Sequence, residues 1–172
     1  MSARGVAPAK SAGAAAPTKP AQPAGSAAPT GPAAPASRAA GLRLASAALA
    51  VAGLGIAGYL TVVHYAGGSP ACAIAHGCEV VQESRYAELA GVPVALLGLL
   101  GYAAILASLA RDGETARTVT ASLALAGFGF SGWLTYVELA RLDAVCSWCV
   151  ASAVCMTLLA ALAVTRLLAR RE

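Results

Sequence analysis

Apolar residues fall in four long runs along the chain, at 42–63, 92–110, 119–137 and 146–168. The first is broken only by Arg43, the middle two hold no charge, and the last holds none before Arg166. A hydrocarbon layer of ~30 Å takes about 20 helical residues to cross. The pattern therefore predicts helices over about 42–65, 92–110, 118–137 and 146–168. Pro93 stands at the start of the second, where a missing N–H costs nothing. Trp133 and Tyr136 near the end of the third read as interface anchors. The expected fold class is all-α, an integral membrane four-helix bundle over 39–172.

The connections read differently from one another. Residues 111–117 make a plain helical hairpin loop. Residues 66–91 are longer, and Val80, Ser84 and Ala87 form one stripe at helical spacing. That pattern predicts a short interfacial helix over 79–90, lying at the membrane surface. Residues 1–38 consist mainly of Ala, Pro, Gly, Ser and Thr. With little apolar surface to bury, such a segment is expected to stay a disordered tail.

Composition agrees with a membrane protein, since 58% of the 172 residues are hydrophobic and 12% charged. The net charge of +4 gains meaning from its distribution. With the N-terminus inside, Arg4, Lys10, Lys19, Arg38, Arg43, Arg111, Arg117, Arg166, Arg170 and Arg171 lie on the inner side. Only Arg85 and Arg141 lie outside. Basic residues concentrate on the cytoplasmic side of membrane proteins, so both termini are expected there. Glu138 and Asp143 are placed outside the lipid by the same reading. No basic face with interleaved aromatics suggests nucleic-acid binding.

Topology then gives the cysteines a compartment. Cys72 and Cys78 fall in the 66–91 connection, and Cys146 and Cys149 form a C-S-W-C motif where the last helix begins. Both pairs face the oxidising side, where disulfides form and persist. Two residues between cysteines at a helix start let the sulfurs approach, and the helix N-terminus favours a thiolate. At ~100° per residue the two side chains stand about 60° apart on the helix. Cys146 suits an incoming thiolate. Cys149, nearly one turn deeper, suits a lipid-soluble oxidant such as a quinone. The Cys72 to Cys78 loop suits electron uptake from an external thiol and delivery to Cys146. Structural stapling is the plainer reading of that loop pair, and a zinc site with His76 is another. No second C-x-x-C accompanies the first, so no metal is expected. Val150 stands where haem attachment needs histidine. Cys155 reads as a small buried hydrophobe.

These residues resemble the vitamin K epoxide reductase family, specifically its bacterial disulfide-forming members. The resemblance rests on Cys72-x5-Cys78, on Ser84-Arg85-Tyr86-Ala87, on the run from Gly91 through Pro93 to Gly98, and on Cys146-Ser147-Trp148-Cys149. It covers about residues 42–168. It implies a bundle enclosing a quinone, menaquinone or ubiquinone, beneath a periplasmic cap. It also implies a partner thiol-disulfide oxidoreductase of thioredoxin fold, here a separate protein because the chain ends at Glu172. Carried over, Cys72 and Cys78 form the shuttle pair, and Cys78 attacks Cys146. Cys149 faces the quinone, and Ser84 hydrogen-bonds a quinone carbonyl or caps the short helix. The expected location is the bacterial inner membrane, with the active site on the outer face.

The activity this implies is a membrane thiol oxidase that reduces quinone. A second quinone-linked disulfide-forming family also has four helices, but its C-x-x-C belongs in the first outer loop. An assembly factor or small transporter with structural disulfides is the alternative of another class. The runs hold no charge that marks a transport pathway.

Overall fold

Wherever aliphatic residues dominate, the backbone is α-helical. In the computed structural model, which describes residues 34–72 and 77–169, α1 spans Ala34–Tyr65, α3 Val94–Leu109, α4 Glu114–Val137 and α5 Ser147–Leu168. A five-residue helix α2, Cys78–Gln82, and two short strands, β1 Glu88–Leu89 and β2 Val92–Pro93, lie between α1 and α3. Residues 34–38, expected in the tail, are instead the first turns of α1. The rest of that tail, His76, Arg170 and Arg171 lie outside the described residues.

Three helical stretches are long and apolar enough to cross a membrane: Ser37–Tyr65, Glu114–Leu142 and Ser147–Leu168. The fourth expected span is shorter. Pro93 is extended and precedes the helix rather than beginning it, so α3 has 16 residues, about 24 Å at 1.5 Å per residue.

The expected interfacial helix over 79–90 is also corrected. Only Cys78–Gln82 is helical. Leu89 pairs with Val92 and Glu88 with Pro93 across a tight antiparallel turn. Ala90 and Gly91 turn that hairpin with φ of 53° and 78°, the geometry a two-residue hairpin loop requires. A stripe of three residues cannot outweigh a turn of this kind, because a hairpin satisfies backbone groups that a frayed third turn would leave open. His64 Nε2 lies 3.4 Å from Glu88 Oε1 and ties the hairpin to the end of α1.

Helices α1 and α4 each pack against both α3 and α5, which closes the four into a ring. Small residues allow the close approach: Ala50, Ala57, Ala121, Ala124, Ala160 and Ala163 are buried in the core. Lipid tails are as apolar as leucine, so helix association in a bilayer depends on such packing and on hydrogen bonds between helices. Ser108 on α3 and Thr120 on α4 supply one such bond, at 2.7 Å. Tyr102, fully buried, donates to the Ser152 carbonyl on α5 at 2.9 Å. A Cβ on Gly53 would strike its ring, so α1 carries glycine where the tyrosine crosses the bundle. At the end of the bundle remote from the cysteines, Arg43 pairs with Asp112 at 2.8 Å.

Helix α4 does not stop at Val137 as expected. It continues as a π-helical turn, Glu138–Leu142, which ends at Asp143 in the left-handed conformation with φ 47°. The extra residue in that turn swings Glu138 into the protein, where it is only 4% exposed. It is a buried carboxyl at the end of an apolar helical stretch.

Candidate active site

All four paired cysteines gather in one cluster. Cys78, Val81 and Cys146 form its buried centre, and Cys72, Cys149, Leu142, Ala144 and Trp148 pack around them. Cys72 and Cys78 are joined by a disulfide with their Cα atoms 6.1 Å apart, within the usual span for such a bridge. Cys146 and Cys149 are thiols. Within the loop pair, Cys78 is buried at 1% exposure, while Cys72 is half-buried.

Several contacts bring the loop onto α5. Trp148 Nε1 donates to the Ala71 carbonyl at 2.8 Å, and the Ala71 N–H donates to the Tyr59 hydroxyl at 3.0 Å. Tyr59 and Trp148 also stack at a 48° tilt with centroids 5.0 Å apart. The residue before Cys72 is thus held from both sides by aromatic groups on α1 and α5. Ser147 Oγ sits 3.5 Å from Cys72 Sγ and 3.7 Å from Cys78 Sγ. Gly77 lies against the backbone of Val145, where an added Cβ would meet its nitrogen at 2.7 Å and its oxygen at 2.8 Å. That contact sets the loop beside the residue preceding Cys146.

Cys146 caps α5, and its sulfur accepts the Cys149 N–H at 3.4 Å. Its own N–H donates to Glu138 Oε2 at 3.1 Å. The Cys146 thiol lies below the ordinary cysteine value, at about 7. The hydrogen bond with the Cys149 side chain is the largest cause, and the Cys149 and Trp148 N–H groups add to it. Burial and the Glu138 charge oppose the shift. Stabilisation tied to such a depressed value is fully present above the free-thiol 9.0 and is lost as pH falls through about 7. With Cys146 and Cys149 reduced, ultraviolet thiolate absorbance is expected to titrate with a midpoint of about 7. Replacing Cys146 by serine should remove that phase.

Cys149 faces the other way, into a cavity of about 430 Å³ inside the bundle. Its walls are mostly apolar, from Leu60, Leu97, Ile105, Phe130 and Met156, with Gln82, Ser84, Ser131, Thr135, Glu138 and Ser152 among the polar residues. Drug-sized ligands and cofactors occupy mainly apolar pockets of this order. Gln82 Nε2 donates to Cys149 Sγ at 3.8 Å. Ser84 lines the cavity, and its hydroxyl donates to the Val81 carbonyl at 2.7 Å. Among the described residues no cluster of metal-binding side chains occurs. The contacts of Gln82 with Cys149 and of Trp148 with Ala71 and Tyr59 had no signal in the sequence, because they join residues distant in the chain. Cys155 is half-buried.

Apolar spanning helices that bring a disulfide, a thiol pair and an apolar cavity into one cluster define a membrane redox protein. Residues 44–164 match the vitamin K epoxide reductase family, and the chain belongs to it. It is accordingly a membrane oxidoreductase of a family whose members are in general quinone-linked reductases. No curated protein matches the chain in sequence.

Proposed function

We propose that the protein is a membrane thiol oxidase that passes electrons from a separate periplasmic oxidoreductase of thioredoxin fold to a quinone, menaquinone or ubiquinone. The observation that carries this reading is the common cluster of four cysteines with Cys149 opening onto the apolar cavity. Residues 39–172 form the membrane domain, α3 with its flanks crosses as a shorter fourth span, and the 66–91 segment caps the outer face. The charge asymmetry supports both termini in the cytoplasm of a bacterial inner membrane.

Electrons move in three balanced steps. A partner thiolate attacks Cys72, the half-exposed sulfur, and Cys78 leaves as a thiolate; the partner's second thiol then takes the disulfide. Cys78 attacks Cys146 of an oxidised Cys146–Cys149 pair and displaces the Cys149 thiolate. Cys72 then attacks Cys78, which restores the loop disulfide and frees Cys146. A loop disulfide beside two thiols is the arrangement expected after this step, and the Cys72–Cys78 bridge beside the Cys146 and Cys149 thiols is consistent with it. Finally Cys146 and Cys149 close their disulfide, and two electrons and two protons pass to the quinone. Ser84 contributes a hydroxyl to the cavity wall on the quinone's side. Burial of Cys78 against Cys146 supports Cys78 as the attacking sulfur.

The test is quinone absorbance in purified protein supplied with a reduced thioredoxin-fold donor. Reduction of quinone is expected, and its absence would sink the proposal. A Cys72→Ala variant is expected to accumulate a Cys78–Cys146 disulfide on mass spectrometry, because the resolving thiol is gone. A Cys72-independent resolution that leaves no such species would overturn the assignment of roles.

A further inference from the structure

Glu138 is a carboxyl that the electron path does not use, yet it occupies an expensive position. It is 4% exposed and stands at the end of an apolar helical stretch. Among the described residues no Lys or Arg pairs with it. A carboxyl buried in protein without a counter-charge is costly to keep ionised, and perturbed buried groups of this kind cluster at functional sites. The local backbone is shaped to hold it: the π-helical turn begins at this residue, and such turns cluster at functional sites.

Its surroundings indicate the task. One carboxyl oxygen accepts the Cys146 N–H at 3.1 Å. It also forms part of the cavity wall with Cys149, and each side chain bears on the other's proton affinity. The ionisable side chains that interact with it among the described residues are those of Cys146, which caps α5, and of Cys149 on α5. Gln82, the polar neighbour of Cys149 from α2, is neutral.

We infer that Glu138 is the proton carrier between the Cys149 thiol and the quinone oxygen. This rests on the reading of the cavity as the quinone site. The Cys149 S–H bond breaks and its proton moves to the Glu138 carboxylate. Cys149 and Cys146 then form their disulfide as two electrons pass to the quinone, and Glu138 returns its proton to a quinone oxygen. Cys146 gives its proton to water at the outer face, and the other quinone oxygen takes one proton from water. The sum is two thiols and a quinone giving a disulfide and a quinol, with the carboxylate regenerated.

Electrostatics and proton transfer predict opposite signs for Glu138→Gln, which makes the role testable. Glutamine keeps an acceptor for the Cys146 N–H but removes both the charge and the proton site. The Glu138 charge raises the Cys146 value. In quinone-free reduced protein the variant should therefore show its thiolate absorbance at lower pH than the wild type. More thiolate alone would speed quinone reduction. The proton-carrier role predicts instead a loss of about 10²-fold or more, the usual contribution of a positioned acid or base. Exchange between a reduced thioredoxin-fold donor and the loop disulfide should be unchanged, and Glu138→Asp should recover part of the loss. Quinone reduction in Glu138→Gln at or above the wild-type rate would overturn the inference while leaving the quinone reading intact. A wild type that reduces no quinone would overturn both. Turnover of the wild type should also slow in heavy water, and equal rates in the two solvents would sink the relay even if a variant failed to fold.

Discussion

Replacing Cys149 by serine is expected to abolish quinone reduction while the loop disulfide still exchanges with a reduced donor. The hydroxyl nearly preserves the shape of the side chain, so the bundle should be little disturbed. It cannot close a disulfide with Cys146, and without that bond no sulfur is left to release two electrons into the cavity. Cys149 is the cysteine in the cavity wall, and Cys146 and Cys78 are buried in the cluster behind it. The variant should also change where electrons stop. Its Cys146 thiolate can attack the adjacent loop disulfide but has no partner to resolve onto. A disulfide between Cys146 and a loop cysteine should accumulate, and peptide mass spectrometry would detect it. Sustained quinone reduction by Cys149→Ser would show that electrons leave by another route.

The second large effect is expected at a residue with no chemistry. Gly77→Ala would place a methyl group 2.7 Å from Val145 N and 2.8 Å from Val145 O. Both are backbone atoms beside Cys146, so neither can swing aside as a side-chain tip would. The loop must move instead, and Cys78 moves with it. Disulfide exchange needs the attacking sulfur placed in line, and a displacement near 1 Å can cost about 10²-fold. Donor-driven quinone reduction should fall by about that factor, with the Cys72–Cys78 disulfide still formed. Gly91→Ala is the useful contrast: its φ of 78° strains an alanine, but nothing lies within 4 Å of the added Cβ. A Gly77→Ala protein with wild-type turnover would show that the loop approaches α5 by a different path.

Much of the architecture was legible in hydropathy. The run 146–168 and the helix Ser147–Leu168 nearly coincide, because an uninterrupted apolar segment has one favourable way to satisfy its backbone in lipid. The motif Cys146-Ser147-Trp148-Cys149 was equally legible, since the spacing and the helix start are both local. Two features were not legible, for reasons of the same kind. The stripe of Val80, Ser84 and Ala87 suggested a helix over 79–90, but Ala90 and Gly91 turn the chain into a hairpin whose pairing is between strands. Hydropathy ends the third span before Glu138 and gives no sign that this carboxyl is buried in the protein. The π-helical turn that buries it depends on contacts with α5, including the bond from the Cys146 N–H.

What the sequence determined by itself is therefore the helical membrane class, the family motif and the identity of the four cysteines. Each follows from composition or spacing over a few turns of chain, where propensity and solvent are enough to decide. Only the tertiary structure decided that the loop pair meets the C-x-x-C pair, that Cys149 opens onto a cavity, and that Glu138 joins them. Those facts depend on approaches between residues some 70 positions apart, such as the 3.5 Å contact of Cys72 with Ser147. They rest on glycine clearance and aromatic clamps that no periodicity encodes.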